Sequence, residues 1–141
     1  MTVVSFTIPG RPEPWRRADL GRMKNGKPRH YMDAKTKANQ GVWAWMARAA
    51  MRGMAPLAGA LDMTVVARFT PPASVSKAKR AAMLAGEIRP TPRPDADNIA
   101  KNADALNKLV FNDDAQIVEL HVRKIYAEEA GVDVTIMEIA A

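Results

Sequence analysis

In "PDADNIAK", residues 94–101, Asp95 and Asp97 stand two apart and Lys101 follows four residues after Asp97. A second acidic pair, Asp113-Asp114, comes twelve residues beyond Lys101. Alternate side chains of an extended segment point the same way, so the first two carboxylates can face one point. Four carboxylates drawn together repel one another unless a cation sits among them, and a hard cation such as Mg²⁺ prefers carboxylate and water oxygens. Lys101, one turn into the expected helix, lies on the face beside Asp97. Taken singly, Asp97 also reads as a helix cap and Asp113-Asp114 as a turn.

Several other chemistries fail on the residues. An EF-hand loop opening at Asp95 would need Gly at its sixth position and Glu at its twelfth, where Ala100 and Leu106 stand. A D-x-D phosphatase would need an apolar strand before the first Asp, and "EIRPTPRP" is not one. No glycine-rich phosphate loop, H-E-x-x-H or G-x-S-x-G motif occurs. His30 and His121 are too few and too far apart in sequence for a spacing-based metal motif. His30 sits in a basic loop, and His121, among charged neighbours on a strand, reads as structural.

The elements that must position these groups follow from periodicity. "TVVSFTIPG" reads as a strand ended by Pro9-Gly10. Residues 11–31, with Pro12, Pro14, Gly21, Gly26 and Pro28, read as a basic, mobile loop too long for a mere connection. Asp33 can cap a helix through about residue 52, with Trp43, Met46, Ala47, Ala50, Met51 and Met54 as its core stripe. "GALDMTVVARFT" reads as a second strand, and Ser74 or Ser76 can cap a short basic helix through Leu84. Asp97 is expected to cap a helix over 98–109 whose Ile99, Ala103, Leu106 and Val110 face the core; "NDDAQ" breaks it. "IVELHVRKIYA" alternates as a strand, with Val118, Leu120, Val122, Lys124 and Tyr126 on one face. Its close spacing to "VDVTIMEI" suggests an antiparallel hairpin. The order predicts one small mixed α/β (α+β) domain over 1–141, with helices packed on one face of a sheet.

Composition narrows the class. An apolar content of 48% is ample for a core, and no apolar run approaches a membrane span. The N-terminus lacks the basic and apolar regions of a signal peptide. Zero cysteines exclude disulfides and thiolate metal sites and fit a reducing cytoplasm. Residues 11–37 carry nine basic side chains against Glu13, Asp19 and Asp33, which accounts for the whole net charge of +6. Such a local surplus suggests a polyanionic partner, although a charge run is also compatible with a merely solvated loop.

The stretch 93–126, "RPDADNIAKNADALNKLVFNDDAQIVELHVRKIY", resembles the signature of the RusA family of crossover-junction endodeoxyribonucleases. That signature has a D-x-D-N-x-x-K helix, a D-A-L segment, then D-D-x-Q-(I/V)-V and a downstream lysine, all present here in order. The segment "IPGRPEPWRR…KPRHYMDAKTK" also resembles the family's proline-rich basic opening, whereas 55–90 match only in general pattern. The resemblance implies a Mg²⁺-dependent homodimer, with Mn²⁺ as a substitute, that resolves four-way (Holliday) DNA junctions in a bacterial cytoplasm, often phage- or prophage-encoded. It implies Asp95, Asp97 and Asp114 as catalytic carboxylates and metal ligands, Asp113 as an acidic neighbour in the metal set, and Lys101 as the catalytic lysine. Lys124 falls at a frequent basic position without an assigned role. Arg89, Arg93 and the intervening prolines replace a denser basic run of some members. Phosphate contacts are expected from Arg11, Arg16, Arg17, Arg22, Lys24, Lys27, Arg29, Lys77, Lys79 and Arg93. Two other readings remain open at this stage: a nuclease for other branched DNA, and a non-catalytic DNA-binding module of the same fold. Three tryptophans, nine methionines and the apolar helix at 42–54 offer material for a dimer interface.

Overall fold

The computed structural model describes residues 2–140 except 17, 18, 23–25, 27 and 32; the side chains of 19–22 and 28–31 also fall outside the described set. Six strands, β1 (Val3–Pro9), β2 (Asp19–Arg22), β3 (Pro28–Tyr31), β4 (Leu61–Phe69), β5 (Ile117–Tyr126) and β6 (Gly131–Glu138), combine with helices α1 (Ala34–Met51), α2 (Lys77–Leu84) and α3 (Ala96–Ala100). Two 3-10 turns, Lys101–Leu106 and Asp114–Gln116, complete the described elements.

The main sheet has the order β1-β6-β4-β5, an α+β arrangement. β4 runs antiparallel to β6 and parallel to β5. The expected hairpin between the last two strands does not form, because β4 lies between them. The reason is visible in their side chains. β4 has no exposed residue and alternates fully buried with half-buried positions, which suits a central place. β5 carries Glu119, His121, Arg123 and Lys124 and is largely exposed, as an edge strand tolerates. A parallel pair needs a long crossover, and residues 70–116 supply it. The acidic motif therefore sits within the crossover, and Asp114 lies just before β5 begins beside Leu61.

The second difference concerns residues 11–31. They contain an antiparallel ladder, β2 with β3, from Asp19↔Tyr31 to Arg22↔Pro28. Pro28 can open a strand because it needs no ladder donor there.

One face of the main sheet holds the core. Val4, Phe6 and Ile8 of β1, Met63 and Val65 of β4, and Val134 and Ile136 of β6 pack with Trp43, Ala47 and Met51 of α1 and with Ile99 and Leu106. Asp33 accepts from the backbone N–H of Thr36 at 3.1 Å and caps α1 as its sequence suggests. Met54 lies beyond the helix end and is exposed, so the core stripe stops at Met51. Ser76, rather than Ser74, caps α2 by accepting from Lys79. The opposite sheet face is polar: Thr7 donates to Asp133 at 2.8 Å, and Arg68 bonds both Asp133 oxygens and the Glu129 carbonyl. A Cβ at Gly131 would lie 2.5 Å from the Arg68 guanidinium, so that guanidinium would have to shift. Among the described residues no helix is long and apolar enough to cross a membrane.

The two tryptophans of α1 differ sharply. Trp43 is 1% exposed and meets Phe6 edge-to-face at 6.3 Å, whereas Trp45 is 71% exposed. Urea unfolding of Trp43→Ala should show a loss of about 3–5 kcal/mol. Trp45→Ala should stay within about 0.5 kcal/mol of the parent under the same conditions. Equal losses would contradict this packing.

Candidate active site

The approach to the acidic motif is pinned from the edge strand. Lys124 donates to the Pro92 carbonyl at 2.8 Å and lies 5.8 Å from the Phe69 ring centre. Arg11 sits over the same ring at 5.4 Å. The lysine whose role the sequence leaves open thus ties β5 to the segment that leads into Asp95.

Asp95, not Asp97, occupies the N-cap position of α3, with extended backbone and no side-chain cap bond. Its carbonyl accepts from the Ile99 N–H at 3.1 Å. Asp97 falls in the first turn, where the helix N-terminus favours an anion. The helix is also shorter than expected: after Ala100 it tightens into the 3-10 turn. Asn102, fully buried, donates from Nδ2 to the Ile99 carbonyl at 3.1 Å and to the Glu13 carbonyl at 2.9 Å. In a 3-10 turn residues three apart eclipse, so Lys101 and Asp104 stack on one face. Asp97 precedes Lys101 by one helical turn on that face. Ile99, Ala103, Leu106 and Val110 are buried as their spacing suggests.

The second acidic pair is divided in function by its capping. Asp113 caps the 3-10 turn by accepting from the Ala115 N–H at 2.9 Å. That bond, then its contact with Asp114, hold the Asp113 carboxyl below the usual carboxylate range. Gln116 accepts from the N–H groups of Asn112 and Asp113 and donates to the carbonyls of Leu57 and Gly59. The Asp114 N–H donates to Asn107 Oδ1 at 2.8 Å. These bonds fix the turn so that Asp114 faces the crossover helix.

A cavity of about 370 Å³ results, lined by Asp97, Lys101, Asp104 and Asp114 over an apolar floor of Met63, Ala100, Ala103, Ile117 and Leu120. Asp104 is a site residue missed by the sequence reading; its signal was the 97, 101, 104 helical spacing within the D-A-L segment. Partial burial, then its hydrogen bond and like-charge contact with Asp114, push the Asp104 carboxyl above its ordinary value, with Lys101 opposing. The all-oxygen donor set and the repulsion between Asp104 and Asp114 fit a hard divalent cation.

Asp95 does not line that cavity. It borders a cleft of about 470 Å³ with Arg11, Glu13, Trp15, Arg16, Lys35, Arg93 and Asn98. Of the basic residues read as phosphate contacts, Arg11, Arg16 and Arg93 meet there. Arg16 is ion-paired to Glu13 at 3.2 Å and Asp33 at 3.8 Å. Lys77 and Lys79 lie apart, exposed on α2. The side chains of Arg17, Arg22, Lys24, Lys27, Arg29 and His30 lie outside the described residues. Among the described residues, one group of three ligand-bearing side chains has all its donor atoms within 4.8 Å: Asp62, Glu119 and His121. By strand alternation it occupies the sheet face opposite Met63 and Leu120, away from the carboxylate cavity.

Residues 9–137 match the family described as endodeoxyribonuclease RusA. The chain belongs to that family. It is also 38% identical over 144 residues, with the whole of both chains covered, to the "Uncharacterized protein YqaN" of Bacillus subtilis (strain 168).

The Asp104–Asp114 contact has a pH signature. Ionised Asp104 is penalised in the folded state, so its contribution to stability is full at pH below the usual carboxylate range and is lost as pH rises through its raised pKa. In metal-free buffer at neutral pH, Asp104→Asn should melt about 1–3 °C above the parent, a modest gain because solvent screens the pair. Thermal scans should show the gap closing toward about pH 4. A variant that melts lower at neutral pH would contradict the repulsion.

Proposed function

We propose that this protein is a Mg²⁺-dependent endonuclease that resolves four-way DNA junctions, acting as a homodimer in the cytoplasm of a bacterium that carries it, often through a phage or prophage. The observation that carries the reading is the convergence of Asp97, Asp104, Asp114 and Lys101 on one cavity beside a basic cleft, in a chain of the RusA family. Asp97 and Asp114, with Asp104 beside them, would hold the metal, with Mn²⁺ as its substitute. When bound, the metal lowers the pKa of a water and polarises the scissile phosphate. Asp95 stands at the boundary of the basic cleft, where it would orient the metal's outer ligands or the incoming strand. Asp113 serves the site by holding the turn that aims Asp114.

Lys101 supplies positive charge where the phosphorane charge develops. At about 4 Å and an effective dielectric near 20, such a contact is on the order of 4 kcal/mol before desolvation. That magnitude matters to rate, and it is realised most fully in the transition state. Arg11, Arg93 and Lys35 line the cleft that would receive the phosphate backbone.

A panel of end-labelled four-way junctions, flaps, forks and duplexes, incubated with Mg²⁺, tests the reading. Symmetric paired nicks in the four-way junction are expected to dominate. Asp97→Asn and Asp114→Asn should lose at least about 10²-fold in cleavage while still binding the junction, since the carboxamide keeps shape but not charge. Preferential cutting of flaps or forks would replace the junction by another branched substrate. Cleavage by neither the parent nor its variants, with binding retained, would leave a DNA-binding module.

Substrate symmetry supports the dimer, because two nicks need two sites and the described residues of each chain form one carboxylate cavity with a lysine. Exposed Val42 on α1 and Val118 on β5 offer apolar surface for it. Mixing parent chains with Asp97→Asn chains should give heterodimers that nick one strand and stall. Full resolution at the undiluted rate by every mixture would rule out paired sites.

A further inference from the structure

We infer that Trp15 is a positioning residue for Lys101, holding its ammonium at the mouth of the carboxylate cavity with the N–H donors free for substrate oxygens. The inference rests on the proposed role of Lys101.

Lys101 is exposed and has no ion pair within 4.0 Å among the described residues, yet three carboxylates line the cavity it shares. A lysine carries a compact charge on a flexible four-carbon stem. Left to itself it would fold onto Asp97 or Asp104, spend its donors there and neutralise the charge a metal needs. Instead its Nζ lies 5.0 Å from the centre of the Trp15 ring. An indole face attracts a cation through its quadrupole and accepts no conventional hydrogen bond. The ammonium is therefore held in place without its N–H groups being consumed.

Trp15 is itself fixed from both sides. Its backbone N–H donates to the Asn98 carbonyl at 2.8 Å. Two residues earlier, the Glu13 carbonyl accepts from the buried Asn102 amide at 2.9 Å. One residue later, the Arg16 N–H donates to Oγ1 of buried Thr36 at 3.0 Å. Three bonds within four residues clamp this stretch across the acidic helix, and two of them land on α3 or the turn that bears Lys101. The ring also borders the basic cleft, so it stands between the proposed phosphate channel and the cavity.

The test uses the full-length protein. In the metal-free state, the Lys101 ε-methylene protons should resonate upfield of an ordinary lysine through the ring current, and Trp15→Leu should remove that shift. In Mg²⁺ with a labelled four-way junction, single-turnover cleavage by Trp15→Leu should fall about 10- to 100-fold, the scale of a misplaced catalytic group. Junction affinity should change less than about threefold. Trp15→Phe, which keeps an aromatic face, should recover most of the rate. In the Lys101→Ala background, Trp15→Leu should add nothing further.

Each failure points to a different cause. If Lys101→Ala cleaves as fast as the parent, the role of Lys101 is wrong and this inference falls with it. If Lys101→Ala is slow but Trp15→Leu is fast, the positioning role alone is refuted. A Trp15→Leu defect that persists in the Lys101→Ala background and appears as lost affinity would make Trp15 a DNA contact instead. Should Trp15→Leu melt well below the parent, Trp15→Phe and the ring-current shift decide: a normal lysine shift in the parent overturns the inference.

Discussion

One side-chain amide joins the two halves of the site. Asn102 is fully buried and its Nδ2 reaches the Glu13 carbonyl, 89 residues away in sequence, as well as the Ile99 carbonyl. A buried donor without a partner costs on the order of 1–3 kcal/mol, so the Nδ2 group makes both of its bonds only when the N-terminal stretch lies across the acidic helix. The lysine side of the site depends on that docking. It closes one wall of the basic cleft, it sets Trp15 against Lys101, and it coincides with the tightening from α-helix to 3-10 turn. The tightening in turn places Asp104 over Lys101 and aims both into the cavity with Asp114.

The scaffold holds this arrangement against its own electrostatics. Asp104 and Asp114 are close enough to hydrogen-bond and to raise the pKa of the former. The restoring force comes from apolar burial beneath them: Ile99, Ala103 and Leu106 are buried. The same short helix therefore has one face that stabilises the fold and one whose like charges oppose it. Gln116 performs the equivalent service for Asp114 by locking its turn to the Leu57 and Gly59 carbonyls. Strain of this kind, concentrated at polar positions over a well-packed floor, is typical of a site built to bind charge.

Local physics made much of this legible in the sequence. The caps at Asp33 and Ser76, the Trp43–Met51 stripe and the buried positions of the acidic helix depend on residues within one or two turns, and they stand where the spacing puts them. Asp97, Lys101 and Asp114 do line one cavity. What the sequence did not disclose depends on partners far away. The last two strands look like a hairpin until β4, the more apolar strand, takes the place between them. Prolines and glycines in 11–31 disguised the β2–β3 ladder. Asp104 shares the 97, 101, 104 spacing, but its place beside Asp114 depends on a distant turn, and the separate duties of Asp113 and Asp114 follow from which one the capping box captures. Asp95 faces the basic cleft because it sits at the cap, one step outside the helix that carries Asp97.

The place of β6 has a consequence for how the molecule comes into being. It is the final strand in sequence, yet it is hydrogen-bonded to both β1 and β4. A nascent chain ending before Gly131 has the acidic motif, the basic stretch and the edge strand already made, but β1 has no neighbour in the main sheet. The stretch after β1, which carries Trp15 and the Glu13 carbonyl, then lacks its anchor. Chains are synthesised at about 5–20 residues per second and long-range strand pairing is slow. Without β6, β1 would have no neighbour in the main sheet, and the groups of the site would be present without the geometry that unites them.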